Sequence, residues 1–187
     1  MRPPKLSADD VNAILIELFR THGYEGTSLS KLAEASGLVK ASLYHRFPGG
    51  KEQMANATMD VCLKDFATAV LAPLQESGEP ADRLRRTARN IRQYYDGGEQ
   101  PCLLDTLSLG EIPDSVAERV ASTLEAWIGA LAAVAREVGH ARGDARRRAE
   151  DAVAAIEGGL VISRVSGRTQ AFDRALKRLP EAIIGDA

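Results

Sequence analysis

The apolar residues of this 187-residue chain recur every three or four positions along most of its length, which is the spacing of one face of an α-helix. Ser7, followed by Asp10 three positions later, predicts a capped helix start, and Gly23 predicts its end. The stripe between them consists of Val11, Ile14, Leu15, Leu18 and Phe19. Alternating apolar and polar runs, which would indicate strands, are scarce. The pattern therefore predicts an all-α protein of about nine helices.

Further helices are expected between breaks at glycine and proline. Thr27 or Ser28 can cap a short helix that Gly37 ends in a tight turn, and a second short helix follows over about Val39–Phe47. Longer helices are predicted from Lys51 to about Glu76, near Ala81–Tyr95, Pro101–Gly110 and Pro113–Gly139, then over Asp144–Ser166 and about Gln170–Ile184. An alanine-rich stretch in the C-terminal part indicates close helix packing, in a core or between subunits.

Two short helices joined by a glycine-containing turn are typical of the helix-turn-helix, whose second helix enters the major groove of DNA. The segment reads LSKLAEASGLVKASLYHRF. Leu38 and Leu43 suit its inner side. The outer surface is left to Val39, Lys40, Ser42, Tyr44 and His45. A corner between two helices of an ordinary bundle has the same spacing, so spacing alone leaves DNA binding and bundle packing as alternatives.

The residues flanking the two short helices are of the types that contact phosphates. Thr27 and Ser28 stand at the start of one helix, Tyr44 and His45 lie near the end of the next, and Lys51 opens a third. Hydroxyls, helix N-termini, tyrosine and lysine are common phosphate ligands. A lysine in a first helical turn is disfavoured by the helix dipole unless an anion is present. Lys51 is thus either a phosphate contact or a solvated surface lysine.

Composition and charge limit the remaining classes of protein. A hydrophobic content of 44% and a charged content of 27% are ordinary for a globular protein. Residues 1–51 hold seven Lys/Arg against five Asp/Glu, and the remainder holds seventeen against twenty-one. A slightly basic head permits an anionic partner, although chance variation explains it equally well. No apolar run reaches the ~20 residues of a membrane span and no export signal is evident, which favours a cytoplasmic protein.

Catalytic and metal-binding motifs are scarce in the sequence. The region before Lys51 does not fit a phosphate-binding loop, because His45 stands where glycine is required and Glu52 follows the lysine. No GxSxG or HExxH motif occurs. Cys62 and Cys102 lack CxxC or histidine spacing, so they are expected to be buried thiols, with a redox sensor as the alternative. We expect no enzyme activity, no metal and no cofactor.

The segment TSLSKLAEASGLVKASLYHRFPGGKEQM resembles the N-terminal signature of the TetR family of bacterial transcriptional repressors. The resemblance covers about residues 7–54 and rests on the helix spacing, the glycine turn, the Tyr and Phe, and the Lys-Glu pair. One extra residue follows Phe47, giving FPGGKE, which is similar to the subgroup of LmrA-like and YxaF-like repressors. The insertion affects the register of Lys51 against a phosphate.

The resemblance implies a DNA-binding domain over residues 1–50 and a ligand-binding and dimerisation domain over residues 51–187. It implies a homodimer on a palindromic operator, most simply a repressor that a small apolar molecule releases. The residues matching DNA-facing positions are Thr27, Ser28, Val39, Lys40, Ser42, Tyr44, His45 and Lys51. Lys40 suits a guanine or a phosphate equally. The alternative is a helical ligand-binding or scaffold protein without DNA binding.

Two further sets of residues are candidates in the C-terminal part. A ligand pocket needs large apolar groups with a few polar ones, and the candidates, each of which also suits a simple core position, are Met59, Cys62, Phe66, Tyr94, Cys102, Leu103, Leu107, Trp127 and Leu131. A dimer surface on the last two helices would use Val153, Ile156, Gly159, Leu160, Phe172, Leu176 and Leu179, whose alternative role is packing inside one subunit.

Overall fold

The computed structural model of the chain describes residues 6–185, and these residues form helices joined by short turns. The helices are α1 (Ala8–Gly26), α2 (Leu29–Ser36), α3 (Lys40–Arg46), α4 (Gly50–Phe66), α5 (Ala72–Gln75), α6 (Pro80–Tyr94), α7 (Leu103–Leu107), α8 (Asp114–Glu137), α9 (Arg142–Ser166), α10 (Gln170–Lys177) and α11 (Leu179–Ile184). A π-helical turn, Ala67–Leu71, joins α4 to α5. The all-α prediction is confirmed. The expected nine helices become eleven because α4–α5 and α10–α11 are each interrupted.

Helix α1 begins as its capping residues predict. The Ser7 hydroxyl oxygen accepts a hydrogen bond from the Asp10 backbone N–H at 3.1 Å, and the Asp10 carboxylate accepts one from the Ser7 backbone N–H at 2.8 Å. The Ser7 hydroxyl also donates to the Asp10 carboxylate at 2.7 Å, and this bond, followed by that from the Ser7 backbone N–H, lowers the pKa of Asp10. Gly23 interrupts the helix as predicted, with a non-helical backbone at φ +65°, and a further helical turn then continues to Gly26. A β-carbon at Gly23 would lie 2.8 Å from the Thr106 carbonyl oxygen, so this close approach requires glycine.

The chain divides into two compact units. One comprises the described residues up to Leu63 together with Leu103–Ala121, and the other comprises Lys64–Cys102 and the residues from Ser122 onward. Both α4 and α8 therefore contribute one end to each unit. The predicted boundary at residue 50 remains a prediction about the DNA-binding domain. The N-terminal compact unit is larger than that domain.

The N-terminal unit has one hydrophobic core. It is built from the inner faces of α1 to α4 with α7 and the start of α8; its fully buried members include Val11, Leu15, Phe19, Leu32, Leu43, Met54, Met59, Leu107 and Val116. The α4–α8 side of this unit is polar. Ser115 donates to the Glu52 carboxylate at 2.6 Å and accepts from the Asn56 side chain at 3.2 Å. These bonds hold the first turn of α8 against α4.

The C-terminal unit contains the interruption between α4 and α5. Pro73 has no N–H to donate to the carbonyl four residues earlier, that of Ala69, and its ring clashes with a regular helical carbonyl there. The backbone widens into the π turn just before the proline, and the Asn90 side-chain amide donates to the Ala69 oxygen at 2.8 Å. The helix predicted to run unbroken to about Glu76 is therefore interrupted at the π turn. Asn90 supplies the hydrogen bond that the Ala69 carbonyl lacks there.

Helices α9 and α10 are the most closely packed pair in this unit. A β-carbon on Gly159 would lie 2.6 Å from the Phe172 Cα and 2.9 Å from its backbone nitrogen. Only a glycine permits this approach, since a contact with backbone atoms cannot be relieved by a side-chain rotation. The ring of Phe172 is fully buried as a result.

Polar contacts join helix α11 to the start of α9. The Arg148 guanidinium donates to the Ala182 carbonyl oxygen at 3.0 Å and to the Asp144 carboxylate at 3.1 Å. The His140 ring lies 3.0 Å from the Asp144 carboxylate and 2.8 Å from the Ile184 carbonyl oxygen. Hydrogen bonding from Arg148, with the charges of Arg148, Arg147 and His140, lowers the pKa of Asp144. Asp144 is thus the centre of a cationic cluster that holds α11.

Candidate nucleic-acid interface

Helices α2 and α3 form the predicted helix-turn-helix. Ser28 caps α2, accepting a hydrogen bond from the Lys31 backbone N–H at 3.2 Å. Gly37 then adopts the left-handed conformation, with φ +66° and ψ +10°, that reverses the chain. Residues other than glycine rarely adopt this conformation. The N-cap and the glycine turn predicted from the sequence are both confirmed.

The orientation of α3 is fixed by its two inward residues. Leu43 is fully buried and Phe47, just after the helix, is 5% exposed. The side chains between and before them point away from this core: Val39 is 66% exposed and Tyr44 is 57% exposed. The outward set comprises Val39, Lys40, Ala41, Ser42, Tyr44, His45 and Arg46. Five of the predicted DNA-contacting residues therefore share one free helix surface.

Thr27 does not belong to that surface. It is 1% exposed, and its hydroxyl donates to the Gly23 carbonyl oxygen at 2.8 Å and approaches the Leu18 carbonyl oxygen at 3.2 Å. Its backbone N–H donates to the Tyr24 carbonyl oxygen. Both polar groups are thus used inside the protein. The predicted phosphate contact by Thr27 is replaced by a structural role, closing the turn between α1 and α2.

Lys51 lies in the first turn of α4, directly beside Tyr24. Its ammonium nitrogen is 4.2 Å from the centre of the Tyr24 ring, a cation–π geometry. The tyrosine is 7% exposed, and its burial, with smaller effects of the Glu52 and Glu25 charges, raises the pKa of its phenol. The neutral ring therefore holds the lysine ammonium in a defined place while leaving the side chain half-buried.

Two residues that contribute to the candidate DNA-binding surface, one of them buried beneath it, were not among the sequence predictions. Tyr24 positions Lys51, and Arg46 adds an exposed cation at the end of α3. Arg46 could have been found, since an arginine next to the predicted contact His45 suits a phosphate as well as a lysine does. The role of Tyr24 depends on a contact between residues 27 positions apart, for which the sequence has no local signal.

The predicted pocket residues fall into two groups. Met59, Cys62, Leu103 and Leu107 are part of the N-terminal unit's hydrophobic core. The other five belong to the C-terminal unit: Phe66, Tyr94, Cys102, Trp127 and Leu131. All nine are buried except Tyr94, which is partly exposed. Whether any of them contacts a ligand stays a prediction.

The C-terminal group contains a chain of aromatic contacts. The Phe66 ring meets Trp127 and Tyr94 edge-to-face at centroid distances of 5.2 and 5.7 Å. Tyr95 continues the chain to Phe172, and its hydroxyl lies 3.4 Å from the Cys102 sulfur. Burial raises the pKa of Tyr95 well above its usual range. Among the described residues, the Trp127 indole N–H is fully buried without a hydrogen-bond partner, which is unusual for a polar group.

The seven predicted dimer residues lie inside one subunit in this structure. Ile156 and Phe172 are fully buried, and the rest, Val153, Gly159, Leu160, Leu176 and Leu179, are also buried within the chain. The alternative role, packing of α9 against α10, accounts for them. The exposed apolar residues of α9 lie on the opposite side, where Val161, Ile162 and Val165 are 39%, 51% and 80% exposed.

Neither metal clusters nor membrane spans occur in the described part of the chain. No group of three or more histidine, cysteine or acidic side chains between residues 6 and 185 could hold a metal ion. In the same range no helix combines the length and apolar character needed to cross a bilayer.

Known proteins resemble this chain in sequence and in structure. A family model described as bacterial regulatory proteins of the tetR family matches residues 15–58, and one described as the C-terminal domain of LmrA/YxaF-like transcriptional regulators matches residues 80–178. The HTH-type transcriptional regulator YxaF of Bacillus subtilis is 26% identical over 78% of this chain and 78% of its own length. LmrA of the same organism is 25% identical over 84% of this chain and 86% of its own.

Solved structures show the same fold over nearly the whole chain. A crystal structure of a TetR transcriptional regulator from Legionella pneumophila has a TM-score of 0.82 at 20% identity, covering 98% of this chain and 100% of that one. A TetR-family regulator from Agrobacterium tumefaciens has a TM-score of 0.79 at 23% identity, covering 94% and 96%. With both of its parts matched by family models, the chain belongs to the TetR family of transcriptional regulators, with a C-terminal domain of the LmrA/YxaF-like type.

Proposed function

We propose that this DNA-binding regulator is a repressor that binds a palindromic operator as a homodimer and is released by a small apolar molecule. The observation that supports it most is the outward face of α3, which Leu43 and Phe47 hold away from the core. The second helix of a helix-turn-helix, displayed in this way, fits the major groove. We propose that it acts in the cytoplasm and has no catalytic activity.

On DNA, the exposed residues of α3 divide by chemistry. Lys40 and Ser42 suit base edges, with Lys40 able to donate to guanine or to a neighbouring phosphate. Val39 suits the methyl group of a thymine. Tyr44 and His45, nearer the end of the helix, suit phosphates, as do Ser28 at the start of α2 and Lys51 at the start of α4. Two copies of this small set of donors compensate for the chain's low net charge.

A mobility-shift titration with the DNA upstream of the protein's own gene tests DNA binding. Binding should weaken as salt rises, because phosphate contacts release counterions. Lys51→Ala should weaken binding to every bound sequence and reduce the salt slope by about one. Tyr24→Leu should have a smaller effect in the same direction, since it removes the ring that positions the lysine.

The matched control is Lys64→Ala, an exposed lysine on the same helix, which should leave affinity and salt slope unchanged. No shifted band at low salt would argue against the repressor. A Lys51→Ala protein whose sequence preference changes while its salt slope does not would show that Lys51 contacts bases.

For the homodimer, we propose the exposed side of α9 in place of the buried set. Ala154, Gly158, Val161 and Val165 recur at helical spacing along that side, and Ile162 adjoins them. Small residues at one end allow helices to approach closely, and the branched residues at the other end gain by burial. A twofold axis can pair this face with itself.

Light scattering on Ile162→Glu tests that surface. The substitution should give a monomer with unchanged helix content, because the residue is half exposed in the single chain. Val138→Glu, a partly exposed apolar position just after the end of α8, is the control and should leave the dimer intact. A dimer that survives Ile162→Glu would place the interface elsewhere.

For the releasing molecule, the aromatic contacts around Phe66 support a flat apolar ligand with a hydrogen-bond acceptor. The buried Trp127 N–H would donate to that acceptor. Trp127 is the only tryptophan of the chain, so its fluorescence reports binding directly. A molecule that releases DNA and shifts Trp127 emission supports the proposal; release without any emission change places the ligand away from this residue.

A further inference from the structure

A groove of about 560 Å³ lies in the C-terminal unit, between α6 and the pair α10–α11. It belongs to a different part of this unit from the aromatic contacts of Phe66, and it opens to solvent. Its volume is within the range of ~300–1,000 Å³ that small-molecule sites occupy.

The bottom of the groove is apolar and comes from both walls. Ala88 on α6 and Leu176 on α10 are mostly buried, and Pro180 at the start of α11 is half-buried. Pro180 also creates the break between α10 and α11, because it cannot donate to a carbonyl of the preceding turn. An aliphatic or aromatic body would exclude water from these surfaces.

The rim of the groove is cationic. Arg85, Arg89 and Arg92 follow one another at spacings of four and three residues, so they lie on the same side of α6. Lys177 faces them from α10. Four cationic side chains thus surround one apolar floor.

The acidic residues of the rim are already engaged. Asp173 binds Arg92 at 2.9 Å, and Glu181 binds Arg178, which is outside the groove, at 3.5 Å. Arg85 pairs with Asp82. Within the described residues, Arg89 and Lys177 form no ion pair, so the groove has two cations available to a ligand.

We propose that this groove binds a small organic anion, with an apolar body on the floor of Ala88, Leu176 and Pro180 and its carboxylate between Arg89 and Lys177. A carboxylate accepts charge-assisted hydrogen bonds from both cations, and an arginine can bind it with two parallel bonds. A neutral molecule of the same shape gains only the contact with the floor. The site is separate from the proposed DNA surface, so its failure leaves the repressor proposal unaffected.

The test is isothermal titration of the full-length protein with naphthalene-2-carboxylate and with naphthalene-2-carboxamide, its neutral counterpart. The carboxylate should bind and the carboxamide should bind about tenfold more weakly, since two exposed charge interactions are removed. The double variant Arg89→Gln/Lys177→Gln should lose a similar factor for the carboxylate and nothing for the carboxamide. Both residues are exposed, so the variant is expected to fold normally.

The matched control is Arg142→Gln/Arg168→Gln, which removes two exposed arginines of the same unit outside the groove. It should bind the carboxylate as the wild type does. Equal binding of carboxylate and carboxamide, or carboxylate binding that survives in the Arg89/Lys177 variant, would overturn the proposal. A carboxylate that shifts Trp127 emission and ignores the variant would show occupation of the aromatic site instead. Absence of carboxylate binding would also overturn it.

Discussion

Helix α3 of the N-terminal unit and helix α9 of the C-terminal unit both carry one buried and one exposed face. The sequence predicted the buried residue of α3, whereas it assigned the buried residues of α9 to a dimer surface, with packing inside one subunit as the alternative. In α3 Leu43 is the single aliphatic residue larger than alanine, and the other large apolar side chain, Tyr44, carries a polar hydroxyl, so the inner face is unambiguous. In α9 both faces contain branched apolar residues: Ile156 and Leu160 point inward, whereas Ile162 and Val165 point outward. Apolar periodicity therefore locates a core face only when the opposite face is polar.

The largest effect is expected from truncating the buried side chain of α3. Leu43→Ala should lower the free energy of unfolding by about 3 kcal/mol, because it leaves a cavity in the N-terminal core. Val39→Ala, at the exposed N-cap position of the same helix, should change stability by less than about 0.5 kcal/mol. Urea denaturation measures both, and a Val39→Ala loss as large as that of Leu43→Ala would mean that the outer face is not free.

The corresponding pair on α9 uses neighbouring glycines. Gly159→Ala should cost about 2 kcal/mol, because its methyl group meets the Phe172 backbone. Gly158 has no neighbour within 4 Å in the single chain, so in the monomeric Ile162→Glu background, where the proposed dimer contact is absent, Gly158→Ala should stabilise by up to about 1 kcal/mol through helix propensity. Thermal unfolding at one protein concentration compares them. Effects of the same sign would break the assignment of inner and outer faces.

A smaller effect is expected from the defect between α4 and α5. Asn90→Leu should lower the free energy of unfolding by about 1 kcal/mol, since the Ala69 carbonyl loses its donor. The same substitution combined with Pro73→Ala should cost less than the two single effects added together, because a regular helix would then supply that donor. Strict additivity in a double-mutant cycle would contradict the link between the two residues.

The smallest effect concerns pH and the α9–α11 cluster. The lowered pKa of Asp144 means that its contribution to stability is present above the ordinary aspartate range and is lost as the pH falls through the folded-state value. Asp144→Asn should therefore flatten the acid side of the stability curve. Asp151→Asn, an exposed aspartate on the same helix, should leave that curve as it is. If the acid side of the stability curve were the same in Asp144→Asn as in the wild type, the Asp144 carboxylate would not stabilise the cluster.

The sequence correctly predicted those features that depend on residues close together in the chain. The Ser7–Asp10 cap, the Gly37 turn and the inward Leu43 each depend on residues within one or two helical turns. Thr27 was misassigned because two adjacent hydroxyl residues can both cap a helix, and only the kink at Gly23 decides which one turns inward. The predicted pocket residues are divided between two units by contacts between segments that lie far apart in the sequence. No local sequence pattern indicates such contacts.

The widened turn before Pro73 also sets the rotational phase of its helix. Four residues of a regular α-helix turn by about 400°, so positions spaced by four drift by about 40° at each step. Phe66, Val70 and Leu74 are all buried at strict intervals of four, and the wider turn between them offsets that drift. The proline that interrupts the helix therefore keeps three consecutive core residues in line, and removing one residue from this turn would rotate Phe66 away from Leu74.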